Sequence, residues 1–371
     1  MLVSAVRNLS VLVVVSVSIM ISPIAYAEPT VVTAHYGKLA SGEDVLEFTM
    51  RNSHGMQVKV IEYGATISEL LTVDRSGKFA PVVLGAKSLD EYVQGFPAAS
   101  VIGRYANRIR GASFNMDGKT ISLPKNSGEN HIHGGRKNFA KVVWKGLAAA
   151  GQGRCTVILR LTSPDGDEGF PGKLEVVTTY VLTDDNELAI NYQARTDKAT
   201  IVNLTNHAYF NLSGSDGDVL EHQLQIAADK YTVVDESLIP TGEIASLNDS
   251  PLDFRQPRRI GQRITELYEA ARGYDHNYVL WRDSPPTEPR LAAKVVDPKS
   301  GRVMECFTTE PGVQLYTANG FNNNPYPKHG ALCLETQHFP DSPNHPEFPS
   351  TSLKPGQAWN STTVFRFSVQ P

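Results

Sequence analysis

In residues 174–194 the side chains that can form a core recur at every second position. Leu174, Val176, Thr178, Tyr180 and Leu182 share one face, and Leu188, Ile190, Tyr192 and Ala194 share a face of the segment that follows. A period of two is the spacing of a half-buried strand, and Asp184-Asp185-Asn186 between the two runs supplies the turn chemistry of a hairpin. Similar units recur along the chain, at Val58 to Ile61, Val82 to Leu84, Gly111 to Met116, Thr156 to Leu161, Leu224 to Ala228, Tyr278 to Trp281, Arg302 to Phe307 and Thr362 to Phe367. Helical spacing is scarce. Ile260, Ile264, Leu267 and Tyr268 fall at i, i+4, i+7 and i+8 and predict one short covering helix. No fixed-period repeat, low-complexity linker or break in composition divides residues 28–371. That stretch reads as a single all-β domain, a large antiparallel β-sandwich with few short helices.

Residues 1–27 read as a secretory signal peptide. Arg7 gives the positive region, Val11 to Ile21 the apolar stretch, and Ala25-Tyr26-Ala27 the small-residue cleavage site. The apolar stretch falls short of the ~20 residues of a membrane helix, so a periplasmic or secreted protein starting at Glu28 is expected, with no membrane association after cleavage. The formal net charge is −4 and there is no long basic run, which gives nucleic acid no electrostatic footprint. Cys155, Cys306 and Cys333 are widely spaced and make no disulfide framework or zinc knuckle; buried thiols are expected, with one bridge possible.

Chemistry concentrates in two segments. Ile201 to Leu212 sets His207 among amides and aromatics on a run rich in strand-forming residues, the furnishing of a pocket for a hydroxyl-rich ligand. Ala331 to Gln337 puts Glu335 inside an apolar run, where desolvation would raise its pKa toward that of a base working near neutral pH.

Three further segments carry charge or imidazole in a Gly, Asn or aromatic context: Gly103 to Ile109, Asn130 to Gly135, and Gly273 to Asn277. Together with Asn206-His-Ala-Tyr209 and Leu334-Glu-Thr-Gln337, in the order Arg, His, His, Asp, Glu, they resemble the aldose 1-epimerase (galactose mutarotase) family. Glu62-Tyr-Gly-Ala-Thr66, Val83-Leu-Gly85, Pro311 to Thr317, Tyr326-Pro-Lys-His329 and Pro340-Asp-Ser-Pro-Asn344 extend the resemblance over nearly the whole of residues 28–371. It implies a monomeric or dimeric sandwich of the galactose-mutarotase type, with no metal or organic cofactor, that interconverts the α and β anomers of hexoses. By motif, Glu335 corresponds to the base at the C1 hydroxyl and His207 to the acid at the ring oxygen. Asn107, Arg108, His133, Tyr209, Asp275 and Gln314 correspond to the sugar-binding and orienting groups. Two departures stand out: the stretch from Asn319 to Tyr326 is short, and Ile132 stands where leucine is common.

Independently of the resemblance, opening a hemiacetal needs a base at O1 and an acid at O5, and closure on the other carbonyl face reverses both roles. There is no Gly-x-Ser-x-Gly elbow, His-Glu-x-x-His run or phosphate-binding glycine loop. A ring such as Tyr209 would stack on the apolar face of the sugar, while Arg108 and Asp275 would hold its hydroxyls. Other readings make different demands. A sugar-phosphate epimerase needs a cationic cluster, for which Arg104 and Arg108 are the candidates. A non-catalytic carbohydrate-binding protein needs neither Glu335 nor His207, and a glycosidase would recruit Asp275 as a second carboxylate. His131 and His133 could share a strand face as a metal pair, but no third ligand is evident and a pocket-lining loop is expected instead. Asp165-Gly-Asp-Glu-Gly169 lacks the spacing of a calcium loop and reads as an acidic turn.

Overall fold

The computed structural model describes residues 28–96, 98–214, 217–267, 272–280, 286–323 and 325–371; the predicted signal segment, Tyr268 and Trp281 lie outside them. Three antiparallel sheets carry the architecture. The first is a five-stranded meander running from Thr30–Lys38 to Phe79–Pro81. The largest has nine strands, with the predicted hairpin Leu174–Thr183 and Glu187–Thr196 near its middle and Trp359–Val369 paired beside it. The third orders its strands Pro240–Ser246, Lys230–Val234, Asp275–Val279, Gly312–Tyr316 and Cys333–Gln337.

One apolar cluster joins all three. Phe48, Val58 and Val60 enter from the first sheet, Val157, Tyr180, Ile190 and Phe365 from the second, and Tyr278, Val313, Leu315 and Leu334 from the third. Alternation along the strands makes this possible. With Tyr278, Val313, Leu315 and Leu334 turned into the core, period two sends Asp275, Asn277, Gln314, Tyr316 and Glu335 to the opposite face of the third sheet. Thr336 is also on the core side, where its hydroxyl meets that of Thr363, on the nine-stranded sheet, at 2.6 Å. The polar face is thus the underside of a sheet whose position the core fixes.

Two expectations fail locally. The covering helix is replaced by two 3-10 turns, Ile260–Gln262 and Ile264–Leu267, broken at Arg263. The N–H groups of Ile260 and Gly261, which a helix starting there would leave without an internal acceptor, bond to the carbonyls of His222 and Leu220. Ile260 and Ile264 are still buried, as their spacing suggested. Val82 to Leu84 forms no strand either. Val82 N–H bonds Leu70 in the first sheet, whereas Leu84 N–H bonds Tyr209, and only Val83 makes a bridge, to Phe210. The run spans two elements rather than extending one.

Ile201 to Leu212 is likewise no continuous strand. Its N–H groups go in turn to Thr351 (from Val202), Arg104 (Asn203), Ser100 (His207), Leu332 (Phe210) and Val82 (Asn211). Its strand-forming composition reflects burial on all sides, with Val202, Leu204, Ala208, Phe210 and Leu212 in the core. The three cysteines are free and buried.

Candidate active site

Glu335 lies in mid-strand, with Gln314 directly opposite it and Asn277 next in the same cross-strand row. Asp275, Tyr316 and Cys333 form the adjacent row. Three loops close over this face. Asn107 and His133 face each other across a reciprocal pair of contacts: His133 N–H donates to Asn107 O at 2.9 Å, and Asn107 N–H donates to His133 Nδ1 at 3.2 Å. Both adopt left-handed backbone, φ 60° and 53°, which turns His133 out of the two-residue strand His131–Ile132. The buried connector delivers His207, with Asn206 anchored through its side-chain amide to Ala99 O.

These pieces enclose a cavity of about 200 Å³ lined by Asn107, Arg108, Ile132, His133, His207, Tyr209, Asp275, Tyr316 and Glu335. That is smaller than the roughly 300–1,000 Å³ of sites for drug-sized ligands, and its lining is mostly polar. A larger cavity of about 560 Å³ lies at His54, Phe79 and Arg366 and holds none of the expected site residues.

Within the small cavity His207 Nε2 stands 3.6 Å from Glu335 Oε1. Burial holds the Glu335 carboxyl above its ordinary range; neighbouring Asp275 pushes the same way, and His207 and Arg108 oppose. His133 is pushed far down, first by burial and then by His207 and Arg108, and is therefore neutral. With its Nδ1 accepting from Asn107, the proton must sit on Nε2, which makes His133 a hydrogen-bond donor. Arg108 Nη2 donates to Asp275 Oδ2 at 3.2 Å, and Gln314 Nε2 donates to Asp275 Oδ1 at 2.6 Å.

All eight expected residues converge, but two take different places from those foreseen. Gln314 reaches the site through Asp275, which it holds from behind. Tyr209 has no face free to stack on a sugar, since its ring is stacked against His207 (4.8 Å) and Phe321 (5.3 Å). It holds the imidazole plane instead. Tyr316, edge-on to both His207 and Tyr209, lines the cavity and was not foreseen; its alternation with Gln314 along one strand was the available signal. Phe321 comes from the short segment between Asn319 and Tyr326, so that loop wedges the Tyr209 ring.

The competing readings meet specific obstacles. Arg104 is 2% exposed, and its guanidinium, held down to about 10 by burial, donates to the carbonyls of Pro171, Gly172 and Pro164 and to Ser163. It offers nothing to a phosphate. His131 is buried against Phe170, with Nδ1 on Pro124 O, so it does not pair with His133. The donor atoms of His133, His207 and Glu335 do lie within 4.8 Å of one another, but a protonated Nε2 on His133 has no lone pair for a metal. In the acidic turn, Asp165 accepts from Gly172 N–H and Glu168 from the N–H groups of Arg136 and Lys137. Asp165 and Glu168 thus clasp backbone, while Asp167 accepts from the Ser163 hydroxyl at 2.6 Å.

The described family model for aldose 1-epimerase matches residues 47–366. The chain belongs to the aldose 1-epimerase family. It is similar to galactose mutarotase from Rattus norvegicus, 43% identical over 343 residues that cover 90% of this chain and 97% of that protein. It is also similar to aldose 1-epimerase from Escherichia coli K12, 37% identical over 341 residues, 89% of this chain and 97% of that one. The structure of galactose 1-epimerase from Lactobacillus acidophilus NCFM superposes with a TM-score of 0.81 at 28% identity, covering 92% of this chain and 99% of that one. Membership in the aldose 1-epimerase family makes the protein an isomerase. The antiparallel β-rich fold agrees with these neighbours.

Proposed function

We propose that this aldose 1-epimerase interconverts the α and β anomers of free hexoses such as glucose and galactose, with Glu335 as base at the C1 hydroxyl and His207 as acid at the ring oxygen. The observation that carries the reading is the 3.6 Å separation of Glu335 Oε1 and His207 Nε2 in a cavity of sugar-like scale. O1 and O5 are bonded to the same carbon, so a base and an acid serving both must themselves be close together. Glu335 takes the O1 proton as His207 gives one to O5, and the C1–O5 bond opens to an aldehyde. Rotation about C1–C2 presents the other carbonyl face; O5 attacks it, returning its proton to His207 while Glu335 reprotonates O1. Arg108, Asp275 and the Nε2–H of His133 hold hydroxyls during the rotation, and the edge-on Tyr316 closes one wall.

In this reading the enzyme works outside the cytoplasm, in the periplasm or the medium, after loss of residues 1–27. The n-region, apolar stretch and Ala25-Tyr26-Ala27 support that view.

Polarimetry tests the reaction. Freshly dissolved α-galactose and α-glucose should relax to equilibrium faster with protein than without, in proportion to enzyme concentration. Relaxation at the spontaneous rate overturns the proposal, and release of free sugar from an added galactoside would assign a hydrolase instead.

A further inference from the structure

The segment Pro340-Asp-Ser-Pro-Asn344 lines no part of the catalytic cavity, yet its aspartate is 0% exposed. A buried carboxylate with no substrate to meet must answer to something else. Asp341 N–H donates to Arg108 O at 2.8 Å, and Asp341 Oδ1 accepts from Arg110 N–H at 2.9 Å. One residue from a distant part of the chain thus grips the backbone on both sides of Ile109, at the carbonyl of Arg108 and the N–H of Arg110. Asn344 Nδ2 donates to the same Oδ1 at 2.7 Å, so the carboxylate is itself held through that oxygen. Asp341 sits at φ 58°, a conformation that Asp and Asn tolerate better than most side chains, and this lets N–H and carboxylate engage the same strand.

We infer that Asp341 is a positioning residue for sugar binding, setting the backbone at Arg108 so that its guanidinium meets Asp275 and the substrate hydroxyls. The inference rests on the reading in which Arg108 contacts the sugar. It connects the segment to function because Arg108 reaches Asp275 at 3.2 Å from a strand only two residues long, Arg108–Ile109, paired just with His131–Ile132. So short a ladder does not fix a long side chain, whereas the Asp341 clamp fixes the backbone from which that chain springs.

The test is mutarotation kinetics on Asp341→Gly, Asp341→Asn, Arg108→Ala and the double variant. Glycine accepts the left-handed backbone and removes the carboxylate; asparagine keeps an acceptor for Arg110 N–H. Asp341→Gly should raise KM about 10- to 100-fold, the cost of a misplaced contact, with kcat within a few-fold of wild type. Asp341→Asn should restore most of the loss. In the Arg108→Ala background, Asp341→Gly should add nothing further to KM, because the group it positions is gone. Additive effects, or an unchanged KM in a folded Asp341→Gly protein beside a raised KM in Arg108→Ala, overturn the positioning role alone. An unchanged KM in Arg108→Ala removes the underlying reading and the inference with it. Should Asp341→Gly fail to fold, Asp341→Ser, with its shorter acceptor, supplies the same comparison.

Discussion

Burial governs how Glu335 behaves. A carboxyl shut away from water gives up its proton reluctantly, which suits a group that must take a proton and return it in the same cycle. Glu335→Gln keeps the shape and cannot accept the proton, so turnover should fall by about two to four orders of magnitude while sugar still binds. Near-normal turnover in the folded variant removes Glu335 from the mechanism. The same group makes a stability prediction. Its folded pKa lies above the ordinary 4.5, so the native state binds the proton more tightly than the unfolded chain does. That contribution is complete below the ordinary value and is lost as pH rises through the raised one. Glutamine does not titrate, so the melting temperature of Glu335→Gln relative to wild type should rise from pH 4 to pH 8; a flat or falling difference contradicts the linkage. For His207, acting as acid only in the transition state, His207→Asn should lower kcat and kcat/KM together. A change confined to KM would make it a binding residue and move the acid role to His133.

At the scale of elements, the site is a product of strand alternation and of loops with forced backbone. Both the hairpin around Asp184 to Asn186 and Glu335 were legible, the first from period two and the second as a carboxylate inside an apolar run. Tyr316 is in phase with Gln314, but that spacing says nothing of the site until the register with Asp275 and Cys333 on the neighbouring strands is known. The stacked state of Tyr209 was not legible, since Phe321 reaches it from a separate loop. Loop geometry carries its own prediction. Gly134 sits at φ 78°, beside His133, and an added Cβ would stand 2.0 Å from Gly103 O. Gly134→Ala should therefore destabilise the protein by about 1–3 kcal/mol from the backbone conformation alone, read as a lower urea midpoint. Its surviving folded fraction should show a raised KM, because His133 springs from the same turn. An unchanged midpoint would mean that the loop relaxes freely and does not fix His133.

If residues 1–27 are removed on export, the mature chain begins at Glu28, two residues before the first strand, Thr30–Lys38; N-terminal sequencing of exported protein checks this, and full-length chain kept in the cytoplasm refutes it. The all-β architecture was readable across the described residues, whereas at Val82 to Leu84 the run is divided between bonds to Leu70 and to Tyr209, partners that local pattern does not name. The connector from Ile201 to Leu212 is the extreme instance, and it bears on cooperativity. The imidazole proposed as acid hangs from backbone that is bonded to four separate parts of the chain, around Thr351, Ser100 to Arg104, Leu332 and Val82, and such a site has no partly assembled active form. Catalysis and β-sheet circular dichroism should accordingly vanish at one and the same urea concentration, with no inactive yet fully folded plateau before it and no fragment that works alone.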